Sequence, residues 1–161
     1  QDTSRNDSGR GLWLRGDGKG NLTPVSGEQT GVKVYGEQRG CALGDFDADG
    51  RIDLVVTQNG AQTKLYHNTG AKPGLRIRLN GPPQNPSAIG AAIRLGSGPI
   101  REIHAGSGYW SQDSSVQILA AQANATQICI RWPGGKTTTT PLPQSAKEIT
   151  IDQSGAVQSS K

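Results

Sequence analysis

Four aspartates fall within nine residues, in the run Asp45-Phe46-Asp47-Ala48-Asp49-Gly50-Arg51-Ile52-Asp53. Carboxylates this close repel one another unless a cation sits among them. Hard oxygen donors at alternate positions suit Ca²⁺, which takes roughly six to eight oxygens at about 2.3–2.6 Å. Asp45, Asp47, Asp49 and Asp53 are therefore the expected side-chain ligands of a calcium ion, with the carbonyl of Arg51 turned inward as a further one. Gly50 follows the third Asp, where the loop must turn sharply and a residue without Cβ turns at low cost. An EF-hand shares the first six positions but requires a bidentate Glu at its twelfth, which here is Val56, and a helix on each side. The residues after Asp53 are instead Leu54, Val55, Val56 and Thr57, apolar and β-branched, so the loop opens into a strand. A solvated acidic turn is the plain alternative.

A second group of side chains is Gly106-Ser-Gly-Tyr109-Trp110-Ser-Gln112, with Asp113 beside it. Aromatic faces next to hydrogen-bonding groups suit a sugar, whose C–H faces stack while its hydroxyls find polar partners. Tyr109, Trp110, Gln112 and Asp113 are thus the candidate ligand-binding residues. The competing reading, and the favoured one, is that Tyr109 or Trp110 closes one end of a core. His104, Ser107, Ser111 and Asp113 lie close enough in sequence to raise a hydrolytic triad, but such residues are common in any Gly/Ser-rich loop and no G-x-S-x-G elbow is present. Gly134-Gly135-Lys136-Thr137 fails as a phosphate loop, because Ile130 stands where the first glycine belongs. The chain is not expected to be an enzyme. His67 is expected to be an ordinary surface position of a strand.

The elements that must position these groups are short strands. Aromatic residues make up 4% of the chain and there are 23 glycines, a turn-rich composition that favours strands over helices. Residues 1–10 are polar and are expected to form a tether. Gly11-Leu-Trp-Leu14 and Leu22-Thr-Pro-Val25 flank a Gly/Asp turn and predict a hairpin. A strand leads into the acidic loop, another leaves it, and Asn59-Gly60 turns the chain back to Lys64-Leu-Tyr-His67. Lys72-Pro73-Gly74 marks a boundary. Beyond it Leu75-Arg-Ile-Arg-Leu79 alternates strictly, which puts Arg76 and Arg78 on a wet face. Six further strand-like stretches follow up to Ile151, so residues 73–161 predict an antiparallel β-sandwich or barrel.

Two cysteines, Cys41 and Cys129, sit in apolar stretches. They read either as small buried hydrophobes or as a disulfide joining the two halves. The net charge of +4 is diffuse, with no basic cluster, so no nucleic-acid partner is expected. No apolar run is long enough for a membrane span. Methionine is absent, as expected of a processed chain or of a piece excised from a longer one.

The run from Ala42 to Leu54, followed by Thr63-Lys-Leu-Tyr-His-Asn-Thr-Gly70, resembles the FG-GAP/VCBS repeat of integrin-α-like β-propellers. That resemblance implies that the acidic loop joins two strands of a blade and binds Ca²⁺ through the four aspartates and the Arg51 carbonyl. Residues 11–72 would then be about one blade, the terminal piece of a propeller whose remaining blades belong to a longer parent chain. The second half resembles the ASPIC/UnbV domain of cartilage acidic protein 1-like proteins and their bacterial relatives, through Gly74–Leu79, Ile89–Ile93, Arg101–Gln112 and Ile130–Lys136. Together the resemblances imply an all-β, extracytoplasmic, calcium-binding interaction or adhesion module with a protein or carbohydrate partner. The alternative is an accessory domain of a larger secreted enzyme.

Overall fold

The computed structural model describes residues 11–120, 124–143 and 145–160; the expected tether at residues 1–10 lies outside them. The protein is all-β, as expected, with several antiparallel sheets. Strands β1 (Trp13–Gly16) and β2 (Leu22–Val25) form the first hairpin, pairing Trp13 with Val25 and Gly16 with Leu22. A single helical turn, α1 (Gly27–Thr30), follows. It was not anticipated, although its signals are in the sequence: Ser26 caps its start and Gly31, at φ +76°, ends it.

Strands β3 (Glu37–Gly44), β4 (Asp53–Asn59) and β5 (Lys64–Tyr66) make a three-stranded antiparallel sheet in the order β3-β4-β5. The acidic run is the connection between β3 and β4. An irregularity between Gln38 and Cys41 shifts the β3–β4 register.

The rest of the chain builds two four-stranded sheets around one core. One sheet holds β6 (Leu75–Asn80), β9 (Gln117–Leu119), β12 (Glu148–Asp152) and β13 (Val157–Ser160) in the order β13-β12-β6-β9. The other holds β7 (Ala92–Leu95), β8 (Arg101–Glu102), β10 (Gln127–Arg131) and β11 (Thr137–Pro141) in the order β11-β10-β7-β8. Ile77, Ile149 and Ile151 of the first sheet meet Ile93, Ile128 and Ile130 of the second, all fully buried. Each is worth roughly 1.5–3 kcal/mol relative to exposure.

Four expectations are overturned. The sandwich is not wholly antiparallel, because β12 returns from the far end of the chain to pair in parallel with β6, Ile149 opposite Ile77. The aromatic buried in the core is Trp132, with its indole Nε1 donating to Thr138 Oγ1 at 2.8 Å, whereas Tyr109 and Trp110 are exposed. Arg76 is buried, not on a wet face. Both cysteines are free thiols; Cys41 is exposed, so it is not a buried hydrophobe, and Cys129 is partly buried.

Candidate metal centre

The loop between β3 and β4 holds its shape by turning backbone N–H groups onto its own carboxylates. Asp45 accepts from the amides of Asp49 (3.0 Å, Oδ1) and Gly50 (2.8 Å, Oδ2). Asp49 Oδ1 accepts from the Arg51 amide at 2.8 Å. Gly50 adopts φ +84°, and a Cβ there would meet the Gly74 carbonyl oxygen at 3.0 Å, so both conformation and space call for glycine. Asp53, the first residue of β4, is 2% exposed. Its oxygens accept from the Phe46 amide at 3.2 Å and from the Asn68 amide at 2.8 Å. These bonds orient the carboxylates while leaving lone pairs on them.

The arrangement suits a hard cation. Asp45, Asp47 and Asp53 each offer an oxygen, and the three atoms lie within 4.8 Å of one another. Ligands about 2.4 Å from a common centre can lie no farther apart than about twice that, so the three residues could hold a metal ion. Asp49 falls into a different trio, with Asp47 and His67, whose ligand atoms also lie within 4.8 Å. His67 Nε2 is 3.1 Å from Asp47 Oδ2 and 3.6 Å from Asp49 Oδ2, and its ring meets Phe46 edge-on at 5.6 Å. His67 does sit at the surface, just after β5, but its contact with the loop was not foreseen. The only hint in the sequence was its place on the strand returning beside the loop.

Two arginines offset the acidic charge. The side chain of Arg51 bonds Asp49 Oδ2 at 2.5 Å and the Ala71 carbonyl at 2.7 Å. Burial alone would raise the Asp49 pKa, but the bonds and charge of Arg51, assisted by His67, outweigh it and hold the carboxyl below its ordinary value. Arg76, from β6, donates to Asp45 Oδ2 and to Glu148 Oε2, the latter at 2.7 Å. Burial on its own would lower the guanidinium pKa; the bonds and charges of Glu148 and Asp45 raise it above the ordinary value.

The second candidate group is split. Tyr109 and Trp110 project from the tip of the segment between β8 and β9, 66% and 85% exposed, with ring centroids 6.0 Å apart and planes at 41°. Trp110 sits at φ +51°. Gln112 and Asp113 are occupied within the protein. Gln112 accepts from the Gly106 amide at 2.6 Å and donates to the carbonyls of His104 and Asp113. Asp113 Oδ1 accepts from the Leu43 amide at 2.8 Å, and Ser111 Oγ accepts from the Cys41 amide at 2.9 Å while donating to the Tyr109 carbonyl. The Ser114 amide donates to the Leu43 carbonyl at 2.8 Å. Residues 111–114 thus lie along the outer edge of β3 and satisfy its backbone groups. A cleft of about 1150 Å³ opens on the other side of the sheet, between the first hairpin and β5, with Trp13, Tyr66, His67 and Asn68 on its walls.

Residues 81–158, most of the two-sheet sandwich, match the family model described as ASPIC and UnbV. The acidic loop lies ahead of the matched residues. No curated protein matches the chain.

Proposed function

We propose that this chain, an acidic β-loop followed by an ASPIC/UnbV-matching sandwich, is a calcium-binding, extracytoplasmic interaction module that presents a binding surface to a protein or carbohydrate partner. The observation that carries the proposal is that Asp45, Asp47 and Asp53 each bring an oxygen within 4.8 Å of the others. The FG-GAP/VCBS resemblance adds Asp49 and the Arg51 carbonyl to the expected set; Asp49 lies instead with Asp47 and His67. A bound Ca²⁺ would neutralise the carboxylates and supply a hard, adaptable cross-link between β3 and β4. The chain's own contribution is the web of amide donors that aims the carboxylates before any ion arrives.

The three-stranded sheet has the strand order of part of a propeller blade, and a propeller needs at least about four blades to close. The first hairpin leaves Leu12, Trp13, Leu14 and Leu22 exposed, which is what a strand pair meant to be covered by further blades of a longer parent chain would do. The same exposure supports the second reading, an accessory domain of a larger secreted enzyme, with catalysis supplied by other sequence. The exposed Tyr109–Trp110 pair is the surface best suited to a sugar or an apolar protein side chain.

Thermal unfolding in EDTA, and again with Ca²⁺ or Mg²⁺ restored, tests the metal site. At a calcium concentration about 100 times Kd the stabilisation is about 2.7 kcal/mol, which raises Tm by roughly 5–10 °C in a chain of this size. Asp47→Asn removes that rise. A Tm indifferent to calcium in the wild type rejects the site.

A further inference from the structure

We infer that Arg76 is a positioning residue that couples the acidic loop to the sandwich, so that occupation of the loop and the stability of strand β12 are linked. This inference rests on the calcium reading above and names how that site is regulated. Arg76 is 8% exposed. Its guanidinium lies between two carboxylates from different sheets: Asp45, whose side chain is 1% exposed, at the start of the loop, and Glu148 at the start of β12. Arg76 and Glu148 are also direct partners in the parallel β6–β12 ladder.

A planar guanidinium can serve two carboxylates at once in a fixed geometry, which an ammonium cannot. Asp45 Oδ2 accepts both the Gly50 amide of the loop and Arg76 of the sandwich. The orientation of the first ligand is thereby fixed from β6. The amide of Gly74, one residue before β6, also donates to the Gly50 carbonyl at 2.8 Å, which ties the tip of the loop to the same strand. A cation that draws on Asp45 competes with Arg76 for its charge, and what Arg76 loses or gains there is transmitted to Glu148. By linkage the effect is reciprocal: whatever steadies β12 steadies the loop for its ion.

Hydrogen exchange followed by mass spectrometry on the whole chain, with and without calcium, reads both ends of this link. In the wild type, calcium slows exchange in residues 44–54 and also in residues 148–152, by up to about 100-fold at 100 times Kd. In Arg76→Gln the slowing persists at 44–54 and is lost at 148–152. Arg78→Gln, on the same strand, keeps both: its guanidinium lies 4.0 Å from the other Glu148 oxygen but is half exposed and, among the described residues, has no ion pair to the loop carboxylates. Slowing at 44–54 alone in the wild type overturns the coupling while leaving the metal site intact, and so does slowing at 148–152 that survives in Arg76→Gln. No slowing at 44–54 rejects the calcium reading and the coupling with it. Should Arg76→Gln fail to fold, the wild-type comparison and Arg76→Lys, which keeps the charge but not the fork, still decide the matter.

Discussion

Among the four aspartates, Asp47 is the one with least to do inside the protein. It is exposed, accepts one long amide bond, from Asp49 at 3.2 Å, and meets the half-exposed His67 ring at 3.1 Å, while Asp45 and Asp53 each accept two backbone amides. Asp47→Asn should therefore leave the metal-free protein within about 0.5 kcal/mol of wild type and act only when calcium is added. Acid acts through other groups. The carboxyl of Asp152 is held below its ordinary pKa, chiefly by the Ser154 hydroxyl and amide, and that of Asp49 is also lowered. Groups with depressed folded pKa values contribute stability above the unfolded value, near 4, and lose it as pH falls through the folded one. A melting series should be flat around neutrality and fall below about pH 4, less steeply in Asp152→Asn. At the aromatic tip, Trp110→Ala should leave Tm unchanged, since the side chain packs on little, while removing most binding on a glycan array; unchanged binding would remove that surface from consideration. The clustering of carboxylates in the acidic loop was legible because they are neighbours in sequence. Arg76 was not, since alternation along Leu75–Leu79 assigns it to solvent and the carboxylate that draws it inward lies 31 residues earlier. Trp110 misled for the converse reason: an aromatic among small residues reads as a plug, but the aromatic buried in the core is Trp132.

Edge strands invite unwanted pairing unless something covers their free N–H and C=O groups. At β3 the cover is the segment 111–114, using two side chains and one amide in place of a full ladder. Gly40 makes room for it, because a Cβ there would lie 2.6 Å from the Trp110 carbonyl oxygen. Asp113→Ala should cost about 1–2 kcal/mol, since the partly covered Leu43 amide loses its partner, and should speed hydrogen exchange at residues 41–43 without altering the far sheet. An unchanged exchange rate there would mean that water replaces the carboxylate at no cost. The first hairpin and the strands flanking the acidic loop were readable from turn residues and apolar runs. Strand β13 was not, because Val157-Gln-Ser-Ser160 carries no alternation and is a strand only through its pairing with β12. The edge contact of 111–114 is invisible to local pattern because its donors and acceptors come from segments about 70 residues apart.

As a whole molecule the protein is a well-packed sandwich with a thinner sheet leaning on it through Arg76, Gly74 and the 111–114 segment. Composition and strand count made the all-β architecture readable; the crossing of β12 into the centre of its sheet was not, because parallel pairing leaves no turn signature in the sequence. That crossing fixes an order of events. Strand β6 lies between β12 and β9, and its partner β12 is 72 residues downstream. The closure entropy of so long a loop must be met before the pair gives anything back, so the β6–β12 pairing is expected to be a late and slow step of folding. During synthesis β6 is made early and waits, apolar on one face and unpaired on one edge, until Glu148–Asp152 leaves the ribosome. A longer interval between those two moments should lengthen its exposure to aggregation, whatever the stability of the finished fold.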